Sequence, residues 1–154
     1  MTQLSEHFTL REMTRSDTAV RKRIDNTPSE QVVLNLKRLC ANVLEPIRGK
    51  FGPVMVTSGY RSPKLNVAIG GSKTSQHCAG EAADIECAAV DNVALATWIR
   101  DHLWFDQLIL EFATPGDPRS GWVHVSFRGS QNRGEVLTAQ KRGRKTVYLK
   151  GIVP

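Results

Sequence analysis

The sequence predicts an α+β domain in which amino-terminal helices pack on a small, mainly antiparallel sheet. Three observations predict it: apolar residues recur at helical spacing between Val33 and Phe51, short strand-like runs punctuated by Gly and Pro follow residue 53, and one further helical segment interrupts those runs. At 154 residues and 40% apolar content, the chain can bury one core without disulfide or metal staples.

Taken in order, residues 1–26 are polar and mixed, with Phe8, Leu10 and Met13 as anchors onto the core. Thr27 reads as a helix cap, Pro28 suits the first helical position, and Glu30 stands three residues after the cap. Val33, Leu36, Cys40, Val43, Leu44, Ile47 and Phe51 share a helical face, Pro46 kinks the helix or ends its first part, and Gly49 and Gly52 close it. Residues 53–58 read as a strand stopped by Gly59. Ser62-Pro63 starts a short helix that stops at Gly70-Gly71, and residues 72–80 read as loop. Residues 82–86 read as a strand. Asp91 caps a helix running to about Leu103, with Val93, Ala96, Trp98 and Ile99 near its inner face. Residues 108–112 and 122–127 are strands, separated by a loop that Pro115-Gly116-Asp117-Pro118 forces. Residues 136–139 and 146–149 read as a β-ribbon with a basic turn at 141–145. Residues 1–127 are thus expected to carry the chemistry. Residues 128–154 add a basic ribbon to the same domain.

Composition excludes several classes. No apolar run approaches the roughly 18 residues of a membrane span. Residues 1–7 lack a basic start followed by an apolar stretch, so no secretory signal is expected and synthesis is expected in the cytoplasm. Three cysteines (Cys40, Cys78, Cys87) without C-x-x-C spacing argue against a disulfide framework and a Cys-rich zinc finger. Charge is uneven. Residues 1–52 carry 9 basic and 6 acidic groups, residues 53–127 carry 5 and 8, and residues 128–154 carry 7 and 1. The middle is rich in carboxylates, and the basic end favours an anionic partner: nucleic acid, a membrane surface or a cell-wall polymer.

Four histidines could do chemistry. His7 lies in the polar start, and His102 ends a helix, where a cation suits the dipole. His77 sits in a loop of small residues that runs through Gly80 into a strand containing Asp84. His124 shares a strand face with Trp122 and Ser126, while Val123 and Val125 point the other way. Two imidazoles and a carboxylate from separate segments suffice to hold Zn²⁺ with a fourth position open, and equally Fe(II) in an oxygenase. Equally, Asp84 could cap a turn and His124 could be a hydrogen-bonded core histidine.

Four segments together resemble the M15 family of zinc peptidases: Ser58-Gly59-Tyr60-Arg61-Ser62, Ser75-Gln76-His77 through Gly80, Ala82-Ala83-Asp84-Ile85, and Trp122-Val123-His124-Val125-Ser126. That family includes D-Ala-D-Ala carboxypeptidases and L-alanyl-D-glutamate endopeptidases of peptidoglycan, many of them phage endolysins. The most specific piece is S-x-H-x-x-G-x-A-x-D, matched by Ser75, His77, Gly80, Ala82 and Asp84. The resemblance implies a hedgehog-like zinc fold with one zinc per chain, ligated by His77, Asp84 and His124. It also implies that Arg61 binds the substrate carbonyl or developing oxyanion. Many members carry an acidic residue three positions before the last histidine; here that position is Gly121. A hedgehog-type arrangement instead takes the general base from the preceding strand, which makes it Glu111. Asp117, on the adjacent loop, is the second candidate. Glu111 also stands alone among apolar residues, where burial raises a carboxyl pKa unless a cation offsets it. Ser75 and Gln76 are candidate substrate or ligand-supporting groups, and Trp122 a candidate cleft wall.

The implied function is a monomeric zinc peptidase hydrolysing peptidoglycan stem peptides, released at phage lysis or carried on a virion. Its basic end is then available to anionic wall polymers. The alternative is a silent zinc-containing wall-binding or phage structural module of the same fold, which Gly121 favours. Nucleic-acid binding has little behind it: residues 128–154 offer only Tyr148 for base stacking and no DNA or RNA motif.

Overall fold

The computed structural model describes residues 2–154. The amino-terminal stretch that read as mixed and polar holds two short helices, α1 (Leu10–Thr14) and α2 (Asp17–Lys22), each begun by a hydroxyl cap, Thr9 and Ser16. Thr9 and Glu12 form a reciprocal capping box, which five residues of weak periodicity concealed. Of the expected anchors, Phe8 and Met13 are fully buried and Leu10 packs partly buried against the core.

The next helix starts later than Thr27 suggested. Ser29 is the cap, accepting from Val32 N–H, and α3 runs Glu30–Leu39. The Thr27 hydroxyl donates instead to Asp25. The helix then widens into a π-helical stretch, Cys40–Leu44, and resumes as α4 (Glu45–Phe51) with Pro46 in its first turn. The widened turn absorbs the proline, whose ring would clash with the carbonyl of Asn42 in an unbroken α-helix. Leu36, Leu39, Cys40, Val43, Leu44 and Ile47 are all fully buried, so the apolar face holds across the change of pitch.

Strand β1 (Val54–Ser58) is followed by α5 (Pro63–Ala68), a single 3₁₀ turn (Gln76–Ala79), β2 (Ala82–Cys87), α6 (Asn92–His102), β3 (Gln107–Glu111) and β4 (Trp122–Ser126). The ribbon is β5 (Glu135–Arg142) and β6 (Lys145–Lys150). All six strands make one sheet in the order β1-β2-β4-β3-β5-β6. The sheet is mixed rather than wholly antiparallel, because β5 runs parallel to β3. The chain leaves β4, crosses the start of β3 and pairs along its free edge. The basic ribbon is therefore two strands of the main sheet.

Strand alternation sorts the faces. Ala83, Ile85, Leu108, Leu110, Val123 and Val125 are fully buried against the helices, with Leu95, Ala96 and Ile99 of α6 opposite. The other face carries one registered row: Asp84 opposite His124, His124 opposite Ile109, and Ile109 opposite Leu137. A second row runs from Trp122 to Glu111, Ala139 and Tyr148. Among the described residues, no helix is long and apolar enough to cross a membrane.

Candidate metal centre and its cleft

The 3₁₀ turn that carries His77 explains the S-x-H-x-x-G-x-A-x-D spacing physically. Ser75 Oγ accepts from His77 N–H (3.3 Å), fixing the entry to the turn. Gly80 closes it at φ +73°, and a Cβ there would press on Val32 of α3, so only glycine lets the turn settle on the helix. Ala82 is fully buried and starts β2, which delivers Asp84 two residues on.

The side chains converge. Ligand atoms of His77, Asp84 and His124 lie within 4.8 Å of one another, and all three residues are buried. His77 Nε2 stands 3.4 Å from Asp84 Oδ1, and His124 Nδ1 stands 3.1 Å from the same oxygen. Ligands at roughly 2.0–2.2 Å from a tetrahedral zinc are separated by roughly 3.3 Å, so these spacings fit such an ion. His77 Nδ1 donates to the Gly59 carbonyl at 2.7 Å. A carbonyl can only accept, so the proton sits on Nδ1 and the Nε2 lone pair faces Asp84. Burial pushes the His77 pKa down, keeping the ring neutral. Burial works to raise the Asp84 pKa, but the His124 hydrogen bond and the imidazoles on either side outweigh it and hold the carboxyl well below the usual range. Two imidazoles and an ionised carboxylate are a donor set for a divalent cation.

Arg61 lies beside this group. Its Nη2 is 3.7 Å from Asp84 Oδ2, its Nε donates to Ser58 Oγ (3.2 Å), and its Nη1 donates to Asn66 Oδ1 (3.2 Å). Asn66 on α5 is itself buried and donates to the Ser72 carbonyl. Asn66 escaped the sequence reading; an amide inside a short helix carries no pattern that announces it.

Glu111 lines the same cleft from the end of β3. Burial first, and then the negative charge of Asp84, raise its pKa. The Trp122 indole N–H lies beside the carboxyl and opposes that rise, yet is buried without a full hydrogen bond. Trp122 sits directly opposite Glu111 on β4, with its ring tilted against Phe112. Gly121 adopts φ +69°, and a Cβ there would collide with the Glu111 carbonyl, so no acidic side chain fits that position. Asp117 lies elsewhere: it is exposed in the β3–β4 loop, accepting from Arg119 N–H, and does not line the cleft.

The cleft encloses about 860 Å³. Gln76 lines it and also donates its amide to Asp106 Oδ2 (2.9 Å). Asp106, which the sequence reading passed over, is fully buried. Arg133 grips both of its oxygens through Nε (3.1 Å) and Nη2 (2.9 Å), and Arg133 N–H also donates to it. This carboxylate ties the His77 turn to the start of β5. A lone acid before an apolar strand was its only signal in the sequence. His7 and His102 stand apart: His7 pairs with Glu45, and His102 stacks on Trp98 at the end of α6.

A family model described as Peptidase M15 matches residues 6–126, which takes in α1 through β4 and every group of the candidate centre. No curated protein matches the chain.

Proposed function

The chain belongs to the peptidase M15 family, and on that premise we propose that it is a zinc-dependent hydrolase of peptidoglycan stem peptides, cutting bonds that involve D-amino acids. The observation that carries this reading is the convergence of His77 Nε2, Asp84 Oδ1 and His124 Nδ1, with Glu111 and Arg61 in the same cleft. M15 peptidases are zinc-dependent, and family membership favours zinc over Fe(II) for a donor set that suits either.

When bound, zinc supplies Lewis acidity, polarising the scissile carbonyl and easing deprotonation of water. His77, Asp84 and His124 would hold the ion, and the Gly59 carbonyl keeps the His77 ring in the tautomer that leaves Nε2 bare. Glu111 takes a proton from the attacking water at its carboxylate and delivers it to the leaving amine; its partly apolar setting raises its basicity. Arg61, braced by Ser58 and Asn66, directs its guanidinium at the oxyanion that develops on the carbonyl. Ser75 shapes the turn, and Gln76 lines the cleft while its amide holds the buried Asp106 carboxylate. The reading places the enzyme in phage lysis or on a virion, acting on the wall.

Mass spectrometry of purified muropeptides, incubated with the zinc-loaded protein in the presence and absence of a chelator, tests the proposal. Chelator-sensitive release of a shortened stem peptide is expected. Intact muropeptides under zinc-replete conditions would leave the wall-binding module as the reading.

A further inference from the structure

The family match ends at residue 126, yet the cleft does not. Its lining continues onto Leu137 of β5 and Tyr148 of β6. The register puts these side chains on the face that carries Asp84 and His124. Asp84, His124, Ile109 and Leu137 form one row across four strands. Glu111, Ala139 and Tyr148 form the next. Leu137 is half-buried, and Tyr148 is 55% exposed although it is an aromatic residue beside a cleft. Ala139, next after Leu137 on this face of β5 and opposite Tyr148 on β6, is small and fully buried.

Neighbouring strands lie about 4.8 Å apart. Leu137 is two strands from His124, about 10 Å, and Tyr148 is three strands from Trp122 in its row, about 14 Å. An extended peptide advances about 3.3 Å per residue. A substrate lying across the strands reaches these groups about three to four residues from the scissile bond.

We propose that the β5–β6 ribbon is a specificity element: Leu137 and Tyr148 form an apolar shelf that seats an apolar side chain of the peptide substrate three to four residues from the bond cut. The proposal rests on the peptidase reading of the cleft and gives that substrate a minimum length. The Asp106 clamp supports it, because Arg133 and Gln76 meet on one buried carboxylate and so fix the ribbon relative to the His77 turn. A shelf held in register with the metal ligands can discriminate; a loosely attached one cannot.

The test uses the full zinc-loaded chain and synthetic stem peptides lengthened by one to four residues at either end, with Leu or Ser at the last added position. The wild type is expected to favour Leu over Ser by about tenfold in kcat/KM, on one side only and only at the third or fourth added residue. Tyr148→Ala and Leu137→Ala should each abolish that preference by raising KM, with kcat within about twofold and zinc content unchanged. Calorimetric binding of the same peptides to the zinc-loaded Glu111→Gln protein reads the shelf without turnover. Binding preference without hydrolysis by the wild type would uphold the shelf and remove the peptidase reading. Hydrolysis with no length or side-chain preference, or a preference intact in both variants, would overturn the shelf and leave the peptidase reading standing. Neither binding nor hydrolysis of any peptide would overturn both.

Discussion

His77 shows how a single residue is specified twice over. One ring nitrogen donates to the Gly59 carbonyl, and the other is thereby left bare at the metal group. Replacing any of His77, Asp84 or His124 by Ala should reduce zinc from about one per chain to near zero, measured by elemental analysis after dialysis. Full stoichiometry in any one variant would remove that residue from the ligand set. Glu111 carries a different expectation. Glu111→Gln preserves shape and should retain zinc, but should lower kcat by about 10²- to 10⁴-fold, the usual contribution of a positioned base. Comparable turnover by the variant would move the base elsewhere, and the structure offers no acid at position 121 to receive it. The small-residue loop and strand alternation marked His77, Asp84 and His124 as candidates, but only the resemblance to M15 peptidases made them a ligand set, because spacing alone left Fe(II) and purely structural roles open. Asn66 and Asp106 were not legible in the sequence, since each acts through partners distant in the chain: Asn66 braces Arg61, and Asp106 joins residues 76 and 133.

At the level of elements, sequence reading succeeded where a period or a cap was strong and failed where elements were short. The long helix, α5, α6 and the β3 and β4 strands follow from spacing and caps. The helices α1 and α2 have five and six residues, too few for a period to show. The parallel pairing of β5 with β3 is a tertiary choice, fixed by the crossing chain and by Asp106. That carboxylate gives a pH test. Burial works to raise the Asp106 pKa, but the hydrogen bonds from Arg133 and Gln76 outweigh it, so the folded value lies below the ordinary one. A carboxyl lowered on folding contributes stability that is complete above its unfolded pKa, about 4, and is lost as pH falls through the folded value. Asp106→Asn should therefore unfold about 2 kcal/mol more easily than wild type at pH 7, with the gap narrowing below pH ~4. Urea melts at pH 7 and pH 3 measure both; an equal gap at the two values would show that the ion pair contributes nothing.

Charge is organised at the level of the whole molecule. Residues 1–52 carry a net +3 and residues 53–127 a net −3, so the first 127 residues are neutral and the full +6 resides in 128–154. Folding divides that excess. Arg128 and Arg133 face the cleft, Lys141 lies over the Phe112 ring, and Arg142, Arg144 and Lys145 are exposed at the far turn of the ribbon. These last three are free to meet a polyanion without obstructing the site. Attraction between exposed charges falls as the screening length shrinks from about 10 Å at 0.1 M salt to about 3 Å at 1 M. Cosedimentation with purified anionic cell wall should accordingly be strong at low salt and lost toward 1 M. Replacing Arg142, Arg144 and Lys145 together by Ser should abolish the retention. Cleavage of a short soluble peptide should be unaffected, because none of the three lines the cleft. Retention that ignores both salt and the triple replacement would locate wall binding in the cleft itself, where shape and hydrogen bonding rather than net charge hold the substrate.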